Sequence, residues 1–125
     1  MLNVKHYILK TFIFWMVLLI HGCKSDCEFD TLAKEKFLEK IDLVEKGHLE
    51  DFGVPVSSQV AIIFLEEITE VNSSVEWGDV PAYESRVKLE EDIRLWHKWL
   101  NDNYCYISIE EIENLERRVD SLFYY

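Results

Sequence analysis

Six consecutive residues, Val60-Ala61-Ile62-Ile63-Phe64-Leu65, are apolar, and in a helix they would leave no polar face to turn toward water. A helix that is apolar on every side is a buried one. Ser57 or Ser58 stands ready to cap its start, since a hydroxyl there can accept a hydrogen bond from a free N–H of the first turn. Glu66, Glu67 and Glu70 come only in the second half, and Asn72-Ser73-Ser74 closes it. This stretch predicts the central helix that the rest of the chain must cover.

The covering segments read as amphipathic. From Asp30 or Thr31 as cap, Leu32, Phe37, Leu38, Ile41 and Val44 recur at helical steps until Gly47, predicting a helix over 31–46. His48 to Val56, with Gly53 and Pro55, reads as a loop. A third helix over 86–101 carries Leu89, Ile93, Trp96 and Leu100 on one stripe, with Lys88, Asp92, Leu95 and Trp99 on the next. Asn101-Asp102-Asn103 is expected to stop it, and Tyr104-Cys105-Tyr106 to follow as an extended piece. Ser108 with Glu111 forms a capping box, Ile107 and Ile112 a hydrophobic staple, and Ile112, Leu115, Val119 and Leu122 continue as the fourth helix.

Between the second and third helices, residues 73–86 hold Gly78, Pro81, Trp77 and Tyr83 without a sustained period. No alternating strand pattern is present, nor any internal repeat. The expected fold class is therefore all-α, a small four-helix domain over 30–125.

The first 22 residues belong to a different category. Lys5 and Lys10 precede the apolar run Thr11 to Ile20, which ends in His21-Gly22-Cys23. Basic residues, a short apolar run and a small residue before a cut are the layout of a secretory signal. The run is too short to cross the hydrocarbon core, which takes about 20 apolar residues. Ile20-His21-Gly22-Cys23 resembles the lipobox of bacterial lipoproteins, with His21 where a small residue is usual. The resemblance covers residues 1–23 and implies cleavage before Cys23, a lipid on its sulfur, and a tether over 23–29. An uncleaved anchor or secretion without lipid are the alternatives. The expected localisation is the bacterial cell envelope, facing the periplasm or the outside, with the membrane as first partner. Glu91 to Cys105 also resembles a stretch of small exported proteins of Bacteroidota; it spans 15 residues and implies no activity.

Without residues 1–22 the chain keeps 11 of its 13 Lys and Arg, losing Lys5 and Lys10, against 24 Asp and Glu, a net charge of −13. Such a surface repels phosphates, which argues against nucleic acid and against lying flat on anionic lipid. Three cysteines are present. If Cys23 carries lipid, Cys27 and Cys105 remain to pair in an oxidising compartment. Two unpaired buried thiols are the other reading.

Catalytic chemistry finds little to stand on. His48 and His97 are the histidines left after cleavage, in no ligand spacing, so no metal and no cofactor is expected. Glu66, Glu67, Glu70, Glu90, Glu91 and Asp92 could supply a carboxylate pair, but among 24 acids such pairs arise anyway on a solvated face. No serine has a histidine base or a strained turn to present it. The small enzyme is thus the disfavoured alternative, and the expected function is a non-catalytic, membrane-tethered protein-binding or accessory module. Trp77, Tyr83 and Trp99 are the candidates for an exposed aromatic patch, filling of the core being the ordinary alternative for each. The acidic surface biases a partner toward basic charge. In size and charge the domain resembles immunity proteins, which neutralise basic toxins, and this is the second binding reading.

Overall fold

Asp30, in extended backbone, accepts a hydrogen bond from the Ala33 N–H at 3.1 Å and so opens the first helix, α1, Thr31–Lys46. The computed structural model describes residues 27–47 and 53–124. The expected signal over 1–22, Cys23, the first tether residues and His48 lie outside them. Along α1, Ala33, Phe37, Ile41 and Val44 are buried, a run of four-, four- and three-residue steps. Leu32, expected on this face, is half exposed, because a first-turn residue at that angle looks away from the other helices.

Gly47 ends α1 with its N–H on the Leu43 carbonyl at 3.1 Å. Its φ is −77°, so conformational freedom is not what glycine supplies here. The reason is space: a Cβ would collide with Ser58 Oγ and come within 2.5 Å of the Leu43 carbonyl oxygen.

The second helix, α2, Val56–Thr69, corrects the expected cap. Pro55 precedes its first turn without a side-chain hydrogen bond, its fixed φ being suited to a helix start. Ser58 is fully buried and donates instead to Leu43 O at 2.9 Å, which leaves it no part in capping. Ala61, Ile62, Phe64 and Leu65 are buried, as a centrally placed helix requires. The end comes earlier than Asn72-Ser73-Ser74. Thr69 Oγ1 hydrogen-bonds Leu65 O at 2.5 Å and takes the Val71 N–H at 3.1 Å, and Glu70 turns into the left-handed region with φ 57°.

Residues 73–86 contain a small element that the expectation of a plain loop missed. Strands β1, Val75–Glu76, and β2, Ala82–Tyr83, pair antiparallel, Val75 opposite Tyr83 and Glu76 opposite Ala82. Gly53 bridges to Ala82, and the Val54 N–H reaches Pro81 O at 2.9 Å, so the stretch before α2 is stitched to the hairpin.

The third helix, α3, Arg86–Asn103, is capped by Ser85 and buries Leu89, Asp92, Trp96 and Leu100. It runs through Asn101-Asp102-Asn103 instead of stopping there, because the Asn103 side chain hydrogen-bonds the Trp99 carbonyl at 2.8 Å and carries the last turn on. Tyr104 to Tyr106 is a turn, closed by Tyr106 N–H on Asn103 O at 2.8 Å, and not an extended piece. The fourth helix, α4, Ile109–Asp120, has Ser108 accepting from Glu111 N–H at 3.3 Å, with Ile107 and Ile112 both in the core. Leu122 lies past its end in a terminal turn and is exposed.

Four helices and one two-residue hairpin make the described region all-α in class. Phe37 stacks on Trp99 with centroids 5.4 Å apart and Phe29 meets Tyr104 edge-on at 5.3 Å, so α3 runs antiparallel to α1. Asp30 reaches Ile109 N–H at 2.8 Å, and Lys36 and Lys40 bracket Glu116 at 3.1 and 2.7 Å, which sets α4 parallel to α1. Burial pushes the Glu116 carboxyl up, and the hydrogen bonds from Lys40 and Lys36 outweigh it, leaving it below the ordinary value. The core fills the space between these helices, centred on Trp96, Phe37, Phe64, Ile41 and Ile62.

Candidate functional site

A disulfide joins Cys27 to Cys105, with their Cα atoms 5.6 Å apart. It pins the entering chain to the C-terminal end of α3. An 18-residue helix is about 27 Å long, and the hairpin precedes its first turn, so the hairpin and the disulfide occupy opposite ends of α3.

The three aromatics picked from the sequence are not brought into one exposed patch. Tyr83 is 3% exposed and belongs to the core, across the strand pair from Val75. Its phenol is pushed well above the ordinary tyrosine range by burial, with the nearby Asp92 charge and a hydrogen bond to Asp92 adding to it. Trp99 is half-buried with its ring against Phe37. Trp77 alone presents a large open face, at 46% exposure.

Three further apolar side chains are exposed on the hairpin and on the segments that adjoin it. Val80, three residues after Trp77 in the same hairpin, is 77% exposed, and Val87 in the first turn of α3 is 70% exposed. Val56, at the start of α2, is half exposed and follows the Gly53–Val54 stretch that is stitched to Ala82 and Pro81. Water is left on four apolar side chains at the end of the domain far from the disulfide. Val80 and Val87 escaped the sequence reading because isolated valines in a polar context carry no period. The turn Gly78-Asp79 before Val80-Pro81 was the one available sign that Val80 would project.

What holds this surface in place is Asp92. Its carboxylate is 2% exposed and accepts the Ser74 backbone N–H at 2.6 Å and the Ser74 hydroxyl at 2.8 Å, one on each oxygen. A buried carboxylate is tolerable only when its oxygens are so paired. The expectation that Asp92 sits on a solvated face is therefore corrected. Of the remaining carboxylates considered for catalysis, Glu67 is exposed and four have local roles. Glu66 accepts from Ser73 N–H at 2.7 Å, Glu70 ends α2, Glu90 pairs with Arg86 at 2.8 Å and Glu91 with Lys88 at 4.0 Å.

No family model, curated protein or solved structure matches the chain.

The site rests on its own geometry. Among the described residues no cluster of three or more His, Cys, Asp and Glu is arranged to hold a metal ion, and no helix is long and apolar enough to cross a membrane. One concavity of about 460 Å³ lies between α1 and α3, where Glu35, Glu39, Asp42 and Glu45 face His97. Asp42 is paired with Lys46 at 2.7 Å, and Glu35, Glu39 and Glu45 leave this helix face acidic.

Proposed function

We propose that the exported chain is a membrane-tethered, non-catalytic binding module of the bacterial envelope, held by lipid on Cys23 and engaging a protein partner through the hairpin. The observation that carries the reading is the placement of Trp77 and Val80, exposed at the end of α3 opposite the disulfide. A tether entering at Cys27 leaves that end outermost, where a partner can meet it. Tryptophan is enriched among residues that dominate binding energy because it gives a large rigid contact area. Tyr83 supports the surface from beneath rather than touching the partner, and Trp99, stacked on Phe37 toward the disulfide end of α3, takes no part in it. Photo-crosslinkers at Trp77 and at Val80 in intact cells should capture the same protein, and Trp77→Ala should weaken its binding about tenfold or more, roughly 1.4 kcal/mol. Capture of that protein only from a probe on α4, such as Glu113, sinks the assignment. Intact mass of the membrane fraction tests the lipid: a mature chain that does not begin at a modified Cys23 removes the tether from the proposal.

The acidic groove beside His97 favours a second reading, an immunity-type or inhibitor-type protein that neutralises a basic partner. The two readings separate by salt. A basic partner seated on Glu35, Glu39, Asp42 and Glu45 loses affinity steeply as ionic strength rises, whereas a hairpin contact through Trp77 and Val80 is nearly salt-independent.

A further inference from the structure

We infer that the disulfide end of the domain rests on the membrane itself, with Phe29, Leu32 and Tyr106 in the lipid interface. This rests on the lipidation of Cys23 proposed above and adds which face the lipid surface covers. Four peptide links separate Cys23 from Cys27, a reach of at most about 14 Å. The disulfide carries that limit over to Cys105. Tyr106, the next residue, is 81% exposed, and Phe29 and Leu32 are both near half exposed within five residues of Cys27. Asp30, bonded to both Ala33 N–H and Ile109 N–H, holds the start of α1 against the start of α4 and so keeps these side chains at one end.

The chemistry of this end suits an interface rather than water or a hydrocarbon core. Tyrosine places an apolar ring and a polar hydroxyl where headgroups meet acyl chains. The Lys34 ammonium lies over the Phe29 and Tyr104 rings, 5.6 and 5.2 Å from their centroids, which sets a positive charge among the aromatics at this end, where lipid phosphates can meet it. Glu28, Asp102 and Glu110 lie close by in the chain and the net charge is strongly negative, so anionic lipid is repelled. The contact is apolar and needs no lipid charge.

The lipidated chain, purified from membranes and reconstituted into phosphatidylcholine vesicles with brominated acyl chains, provides the test. Tyr106→Trp and Val80→Trp each add one exposed indole. The emission added by Tyr106→Trp is expected to be lost relative to unbrominated vesicles, at low and high salt alike, while that added by Val80→Trp persists. Unquenched Tyr106→Trp in a chain whose mass shows lipid on Cys23 overturns the inference and leaves the tether standing. Quenching of both variants overturns it too, since the domain would then lie on its side. A chain with unmodified Cys23 that fails to float with the vesicles overturns both the inference and the tether.

Discussion

Asp30 shows how much one side chain can organise. Its two oxygens accept from two helix starts, Ala33 N–H in α1 and Ile109 N–H in α4. Those hydrogen bonds, Ile109's first, hold its carboxyl below the ordinary range. A depressed carboxylate contributes stability that is complete above the unfolded value of about 3.9 and is lost as pH falls through the lower folded value. Asp30→Asn, whose single carbonyl oxygen can serve only one start well, should therefore melt below the parent at pH 7. The gap should narrow below about pH 4 as the parent's carboxyl takes up its proton; a gap that is flat with pH would show that the charge is irrelevant to the caps. Trp96 makes the contrast between a buried side chain and a cap. It is the largest fully buried residue, so Trp96→Ala should cost about 3–5 kcal/mol, and Ser108→Ala about 1. Denaturant midpoints that reverse this order would place the faces of α3 wrongly.

At the level of elements, the joint between α2 and α3 has the most to reveal. Asp92→Ala leaves the Ser74 N–H and hydroxyl without their acceptor, and charged hydrogen bonds of this kind contribute about 1.5–3 kcal/mol each. Its mark should be local: faster amide exchange at Ser74 and across β1 and β2, with α1 and α4 slow. Uniform acceleration throughout would mean that the clamp belongs to the global core instead. Glu70, at φ 57°, pays the steric cost of a side chain in left-handed backbone. Glu70→Gly should relieve about 1 kcal/mol of it, offset in part by the freedom that glycine gains on unfolding; a lower melting temperature would refute that account. These joints also mark what could be read from the chain. The bounds of α1 were legible because the Asp30 cap, the apolar period and the Gly47 stop are all local, and the start of α4 was legible through Ser108 for the same reason. The stripe of α3 was read as Leu89, Ile93, Trp96, Leu100 where the buried set has Asp92 for Ile93. Both sets fit a 3.6-residue period, and only Ser74, 18 residues away, makes the carboxylate acceptable inside. The hairpin was hidden likewise: two-residue strands have no period, and theirs is stitched to Gly53 and Val54 arriving from elsewhere in the chain. Trp77 was picked from its loop context, whereas Tyr83 went inside because its register opposite Val75 turns it to the core.

Across the whole molecule, the disulfide closes a loop that takes in α1, α2 and α3 and leaves α4 outside, its two cysteines 78 positions apart. Limiting the freedom of so long an unfolded loop contributes about 4–5 kcal/mol in the chain-entropy account, an upper figure. Cys27→Ser with Cys105→Ser should lower the unfolding free energy by up to that amount while helical circular dichroism at 25 °C changes little, since Asp30 still joins the starts of α1 and α4. Loss of helix in the double variant would show that the covalent link, and not the core, decides whether the domain folds. The same link also fixes how the domain carries load. With a partner gripping the hairpin as proposed, a pull on the N-terminal chain would enter at Cys27, pass through two sulfurs into Cys105, and run up the length of α3 to the hairpin that precedes it. Helix α3 is then the strut under tension, with α1, α2 and α4 packed beside it and outside the line of force. Reduction would reroute that force into the first turn of α1, peeling it from the core one turn at a time.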